Sequence, residues 1–151
     1  KGLSINKNSE RGYFQLGNAK IMLKDYKSAL ISFKRSSEIN STFWQSINNE
    51  GLILYELNKP KEAISKFRLA LKISKDAEPM LALAIILFSS ENNYIESINL
   101  AKNALKLNPE YVSIDYQEKQ LWGRNLQKAA QLLFENKEMI KVVQKAKEKI
   151  Q

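Results

Sequence analysis

A repeat with a period of 34 residues constrains the fold of this chain more than any other feature of its sequence. At that spacing Gly17 recurs as Gly51, and Phe33 recurs as Phe67. The other residues that recur at this spacing are Ala29 as Ala63, Leu23 as Leu57, Leu30 as Ile64 and Ile98, and Ile39 as Ile73 and Leu107. So many matches at one offset indicate a chain built from a repeated supersecondary unit.

Each repeat unit is predicted to form two amphipathic helices. In the first unit, Gly17 shares a helical face with neighbours at helical spacing, Lys24 and Asp25 form a turn, and Phe33 lies on the second helix. In the second unit the turn covers residues 58–60. The three prolines of the chain all fall at predicted helix boundaries, at Pro60, Pro79 and Pro109.

Small residues at fixed places are expected to let the two helices of a unit approach closely. Gly17 and Gly51 provide the space on the first helices, and the aromatic rings are expected to fill the volume between successive units. Because one helix pair cannot bury its apolar face alone, the units should stack and share one continuous core. The pattern therefore predicts an all-α protein.

These units resemble tetratricopeptide repeats, whose small, aromatic and proline positions follow in the same order. The match is most specific in the second unit, through Gly51, Ala63, Phe67 and Ala70. The resemblance implies a right-handed superhelix of antiparallel helix pairs, an α-solenoid. It also implies three repeat units over residues 10–43, 44–77 and 78–111, after an N-terminal tail at 1–9.

The third unit departs from the repeat pattern at three positions. Ile85 stands in place of the glycine, Ser97 in place of the first alanine, and Ala101 in place of the aromatic residue. We therefore expect the helix spacing to differ locally in this unit.

A second, narrower resemblance concerns two short segments. Residues 77–84 and 121–123 look similar to tetratricopeptide proteins of cyanobacteria and plastids. This similarity implies a role in assembling or holding a membrane protein complex from the soluble side.

Residues 112–151 are predicted to form C-terminal capping helices, because a terminal repeat needs a cover with a polar outer face. The apolar pattern predicts one longer helix over 112–134, in which Gly123 marks either a kink or close packing. Asn136 is predicted to cap a final helix over 137–151.

The composition excludes much catalytic chemistry. The chain contains no histidine and no cysteine, so it has no Ser-His triad, no thiol nucleophile and no zinc site of the usual kind. No pair of carboxylates stands at a useful spacing for acid–base work. We therefore predict a non-catalytic protein that needs no cofactor and no metal ion.

The resemblance implies that the first helices of the units line a concave groove that holds a peptide or helix of a partner. It also implies a role in the assembly of a larger complex. The residues carried over to that groove by position are Arg11, Phe14, Asn18, Ile21, Met22, Gln45, Asn48, Asn49, Leu52, Tyr55, Ala82 and Ile86. Their asparagines offer donors and an acceptor, which can hold an extended peptide backbone of any sequence.

A tetratricopeptide subfamily clamps the acidic C-terminus of chaperones with two asparagines and three basic residues. Asn18 and Asn49 stand at the two asparagine places, but Phe14, Pro79 and Leu83 hold the basic places and cannot pair with a carboxylate. The groove is therefore predicted to be more apolar and suited to an amphipathic helix or hydrophobic peptide.

The helix predicted over residues 80–88 is apolar on nearly all sides, so we expect another segment or another molecule to cover its open face. The cover is either a foreign peptide or, in a structural self-associating module, the chain's own C-terminal helix or a second copy. The sequence leaves these alternatives open.

The net charge of the chain is +8, and four lysines recur every four residues near its end, at Lys137, Lys141, Lys145 and Lys149. Such a stripe is typical of a solvated helix face, although it would also suit an acidic partner or an anionic membrane surface. No aromatic residue is interleaved for base stacking, so there is no strong nucleic-acid signal. The longest apolar run, residues 80–88, is too short to span a bilayer. We therefore expect a soluble protein, in the cytoplasm or at the soluble face of a membrane.

Overall fold

The computed structural model describes residues 9–90 and 93–151, so the predicted tail at 1–9 lies outside the described residues except for Ser9. The described residues form helices joined by short turns. These helices are α1 (Glu10–Met22), α2 (Tyr26–Ile39), α3 (Trp44–Glu56), α4 (Pro60–Ser74), α5 (Ala77–Ser89), α6 (Tyr94–Leu107), a 3₁₀ turn (Pro109–Val112), α7 (Ile114–Lys119), α8 (Arg124–Phe134) and α9 (Ile140–Lys149).

The first six helices form three stacked pairs. Helix α1 packs on α2, α3 on α4 and α5 on α6, and the pairs are joined by contacts of α2 with α3 and of α4 with α5. Because short turns connect the helices of each pair, the helices run antiparallel. The predicted all-α solenoid is therefore confirmed. None of the helices within 9–90 and 93–151 is long and apolar enough to cross a membrane.

A glycine–phenylalanine contact sets the distance between the helices of the first two pairs. A Cβ atom added to Gly17 would lie 2.7 Å from the ring of Phe33, and one added to Gly51 would lie 2.8 Å from the ring of Phe67. Both rings are fully buried. Each ring thus fills the space that the glycine of its own unit leaves open, which explains why these residues recur together.

The third pair fills the same space with the residue sizes exchanged. Ile85 stands at the glycine position and Ala101 at the phenylalanine position, and both are fully buried. The hydroxyl of Ser97, at the first alanine position, donates to the carbonyl of Ala84 at 2.7 Å. A large residue opposite a small one therefore keeps the pair closely packed despite the departure from the repeat pattern.

The turns after α1 and α3 share one geometry. Lys24 and Asn58 have positive φ angles of 60° and 66°. In each turn the next amide donates to the carbonyl five residues earlier, at 2.9 and 2.8 Å. This arrangement is the Schellman motif, which satisfies the last carbonyls of a helix and reverses the chain.

The same motif contradicts the prediction of one longer helix over 112–134. Leu121 has a φ of 68°, and the amide of Trp122 donates to the carbonyl of Gln117 at 3.0 Å. The helix therefore ends, and the segment becomes a 3₁₀ turn, the short α7 and a separate α8. Gly123 lies at the N-cap of α8 in an extended conformation, so close packing rather than a kink accounts for it.

The predicted final helix over 137–151 begins later than expected. The side-chain carbonyl of Asn136 accepts from the amide of Glu138 at 2.9 Å, and its backbone carbonyl accepts from the amide of Met139 at 2.8 Å. Asn136 therefore closes a turn instead of capping a helix, and α9 spans Ile140–Lys149.

Candidate functional site

The helices α1, α3 and α5, the first of each pair, form one surface, which we call the inner face. Helix α8 lies against α3 and α5 and so covers the C-terminal part of this face. The apolar side of α8 joins the main core through Leu126, Ala129, Ala130 and Leu133. The apolar surface of α5 is thus covered by the chain itself.

This cover corrects the groove predicted from the sequence. Leu52, Ala82 and Ile86 are at most 2% exposed and belong to the same core as α8. Their burial arises because the apolar side of α8 occupies the place where a foreign helix was expected. Leu52 and Ala82 therefore do not line an open groove, whereas the edge of Ile86 reaches a separate cleft that Tyr55 also lines.

A carboxylate from α3 holds the start of α8. The side chain of Glu56 accepts from the amide of Asn125 at 3.1 Å and from the amide of Leu126 at 3.0 Å. Amides at the start of a helix lack partners within the helix, so Glu56 acts as a cap supplied from another part of the chain. Burial raises the pKa of Glu56, while these two hydrogen bonds oppose the rise.

A second buried carboxylate holds the segment just before α8. The indole Nε1 of Trp122 donates to Oε2 of Glu78 at 2.9 Å, and the Trp122 ring stacks on Tyr111 with centroids 5.5 Å apart. Burial is the main cause that raises the pKa of Glu78 to about 7, and hydrogen bonds from Trp122, Asn48 and Tyr111 oppose it. Burial also raises the pKa of Tyr111.

The N-terminal part of the inner face remains open as a cleft of about 370 Å³ between α1, α3 and the segment that contains α7. We call it the asparagine cleft. Its lining residues are Phe14, Asn18, Trp44, Gln45, Asn48, Asn49, Asp76, Glu78, Asn108, Tyr111, Tyr116, Lys119, Gln120 and Leu121.

Three of the predicted asparagines form a hydrogen-bonded chain along this cleft. The side-chain amide of Asn49 donates to Oδ1 of Asn18 at 3.0 Å, and that of Asn48 donates to Oδ1 of Asn49 at 3.1 Å. Asn48 is 1% exposed, and its own Oδ1 has no hydrogen-bond partner within the described part of the chain. A buried acceptor left unpaired costs free energy, so a ligand donor that reached it would be favoured.

The remaining predicted groove residues are divided among several places. Phe14 and Gln45 line the asparagine cleft, whereas Ile21 is buried in a small cluster with Phe33. Arg11 lies over the ring of Phe43, with its guanidinium carbon 5.8 Å from the ring centroid.

The last two predicted groove residues lie away from the asparagine cleft. Met22, at the end of α1, is 73% exposed. Tyr55 lines a separate cleft of about 470 Å³, together with Asn125 and Lys128 of α8.

The sequence did not predict the far wall of the asparagine cleft. Asn108, Tyr111, Tyr116 and Lys119 reach it because the chain turns back after α6. Asn108 donates from its side-chain amide to the Tyr116 hydroxyl at 3.2 Å, which fixes the two side chains relative to each other. No local pattern signals this wall, since its position depends on contacts between distant residues. Within the described ranges, no group of three acidic side chains stands close enough to hold a metal ion.

The fold and the inner face define a helical-repeat solenoid. Residues 10–43 match the family model of the tetratricopeptide repeat, so the chain contains a tetratricopeptide repeat.

Solved structures of MamA share this fold. One crystal structure of MamA has a TM-score of 0.69 at 17% identity and covers 95% of this chain and 80% of its own. MamA 41-end from Desulfovibrio magneticus RS-1 has a TM-score of 0.64 at 19% identity, with 94% and 76% covered. In another MamA crystal structure, with a TM-score of 0.60 and 17% identity, the match covers 70% of this chain but 57% of that one. At these identities the likeness concerns the fold, and the narrower resemblance to cyanobacterial and plastid proteins stays a prediction.

Proposed function

We propose that this protein is an interaction scaffold that binds a short extended segment of a partner protein in the asparagine cleft. The observation that carries the proposal is the chain of Asn18, Asn49 and Asn48, which ends in an acceptor that no other described residue pairs. Amide side chains provide both donors and acceptors, the groups that an extended backbone requires. The tetratricopeptide fold supports a scaffold role for the chain. We propose that such a scaffold takes part in the assembly of a larger complex.

The cleft is also suited to side chains of such a segment. Phe14 and Trp44 provide aromatic surface on one wall, and Tyr116 provides it on the other. Aromatic side chains with a few placed polar groups are typical of ligand-binding clefts. The partner segment is therefore expected to be short, because α8 already covers the continuation of the inner face.

The experiment that tests this function starts from a peptide selected from a random library on the intact protein. We expect Asn49→Ala to weaken binding of that peptide by about tenfold or more, since it removes the central member of the asparagine chain. Isothermal titration calorimetry measures the affinity. Asn125→Ala is the matched control, because its exposed side chain lies in the other cleft. Equal binding by both variants would contradict the proposal.

A self-associating module is the alternative, and a different observation favours it. Large apolar side chains are exposed on the first helix pair, at Leu16, Met22, Leu23, Ile31 and Ile39. In this alternative the chain's own α8 occupies the inner face, while a second copy covers the first pair. Sedimentation velocity over a dilution series separates the two: a monomer at every concentration would exclude self-association.

A further inference from the structure

A groove outside the inner face lies between α6 and α9 and has a volume of about 490 Å³. Its walls carry Lys102 and Lys106 from α6, and Lys145 and Lys149 from α9. We call it the lysine groove. None of these four side chains forms an ion pair within residues 9–90 and 93–151, and no carboxylate lines the groove.

The spacing of these lysines matches a linear array of negative charges. Within each helix the two lysines are four residues apart, so they lie on the same face about one helical turn from each other. Like charges at this spacing repel each other, and among the described residues no ion pair to these lysines offsets that repulsion. An anionic occupant between the two rows would meet both pairs at once.

The floor of the lysine groove is apolar. Leu105 is 2% exposed, Ala146 is 3% exposed, and Val142 is half-buried between the charged walls. A ligand that fits the groove therefore combines negative charges at its sides with an apolar group directed at the floor. This combination is found in an acidic peptide segment that carries an aliphatic side chain.

We propose that the lysine groove binds an acidic peptide segment of a partner protein. The concave shape favours a peptide over a membrane, because a flat bilayer would meet the lysines at the rim and leave Val142 uncovered. The surface is separate from the asparagine cleft, because it is built from α6 and α9 and not from the inner face. It therefore gives the scaffold a second, electrostatically selective binding surface.

The test uses a labelled Glu-rich peptide with a single Leu, and a version in which Gln replaces every Glu. Fluorescence anisotropy is expected to show binding of the acidic peptide, weakening as salt is added, and no binding of the Gln version. The groove variant carries Lys→Gln at Lys102, Lys106, Lys145 and Lys149. We expect it to bind the acidic peptide about tenfold less tightly.

A matched control separates the groove from the overall positive charge. The control variant carries Lys→Gln at four exposed lysines of other helices and turns, at Lys27, Lys34, Lys59 and Lys61, and has the same net charge as the groove variant. It should retain the wild-type affinity within about twofold. An equal loss in both variants would show attraction by net charge alone and overturn the proposal.

Two further measurements test whether the peptide binds in the lysine groove. Zero-length cross-linking of the acidic peptide to the wild-type protein should join it to lysines of the groove, and cross-links confined to other lysines would contradict the proposal. Vesicles of mixed neutral and anionic phospholipid provide the other comparison. Binding to vesicles, with no binding of the peptide, would identify a membrane surface instead.

Discussion

The carboxylate of Glu56 occupies the space that a side chain at Gly123 would need. A Cβ atom added to Gly123 would overlap the carboxyl carbon of Glu56, the group that caps α8. These two residues lie far apart in the sequence. Their contact is the point at which the C-terminal segment joins the repeat array.

Gly123→Ala is therefore expected to displace the Glu56 side chain and to break both hydrogen bonds to α8. The loss of such a helix cap lowers the free energy of unfolding by about 1–2 kcal/mol. Urea denaturation followed by circular dichroism measures this change. The helical content of the folded variant should stay close to that of the wild type, because the helices of the repeat pairs are untouched.

A double-mutant cycle shows whether the effect of Gly123→Ala acts through Glu56. Glu56→Ala removes the carboxylate and frees the space beside residue 123. In that background the added methyl group should cost less than about 0.5 kcal/mol, so the two changes should be clearly non-additive. Additive effects would mean that residue 123 acts through some other contact.

The buried carboxyl of Glu78 predicts a pH dependence of stability. Burial raises its pKa from the ordinary value of 4.5 to about 7, so the folded state binds the proton more tightly than the unfolded state does. This contribution to stability is fully present below about pH 4.5 and is lost as the pH rises through about 7. The free energy of unfolding should fall by up to about 3 kcal/mol across this window. Urea titrations at a series of pH values measure it.

Glu78→Gln is the control for this pH dependence. Glutamine keeps an acceptor for the Trp122 indole but does not titrate. The slope of stability against pH between about 4.5 and 7 should become shallower, because the buried side chain no longer titrates. An unchanged slope would show that Glu78 does not titrate in this range.

Phe67 is expected to carry a large share of the stability of the second helix pair. Its ring is fully buried against Gly51, so Phe67→Ala would leave a cavity that the glycine cannot fill. The free energy of unfolding should fall by about 3–5 kcal/mol. Leu69→Ala on the same helix is the matched control, since Leu69 is 43% exposed and should cost far less. Similar losses in both variants would contradict this account of the pair.

The repeated helix pairs could be predicted because their determinants are local or recur at a fixed period. Gly17 and Phe33 meet within one helix pair, and the same contact returns 34 residues later. The asparagines of the cleft could be predicted for a related reason. Asn18 and Asn49 lie on the first helices of neighbouring pairs, and the stacking of those pairs brings their side chains into contact.

The course of the chain after α6 could not be predicted from local patterns. A left-handed conformation at Leu121 ends α7, although leucine rarely adopts that conformation. The segment is then held by two distant carboxylates. Glu56 binds amides 69 and 70 residues later in the sequence, and Glu78 binds the indole of Trp122, 44 residues later. Apolar spacing in 112–134 indicates an amphipathic helical segment, although Ile114 within it is 51% exposed. It does not predict where the helix breaks.

The asparagine chain predicts how stability and binding respond to two neighbouring substitutions. Asn49 takes part in two side-chain hydrogen bonds, so Asn49→Ala should lower the free energy of unfolding by about 1–2 kcal/mol. Asn48→Ala removes one of these bonds and the hydrogen bond to the Glu78 carboxyl, but also a buried acceptor with no partner among the described residues. Its net cost should therefore not exceed that of Asn49→Ala.

Both variants are nevertheless expected to bind the selected peptide less tightly than the wild type, because Asn48 and Asn49 both line the cleft. Urea denaturation and calorimetry on the same preparations measure stability and affinity side by side. An Asn48→Ala variant that binds the peptide as well as the wild type would contradict a role for the Asn48 acceptor in peptide recognition. A loss of affinity in Asn48→Ala without a matching loss of stability would assign that acceptor to the ligand.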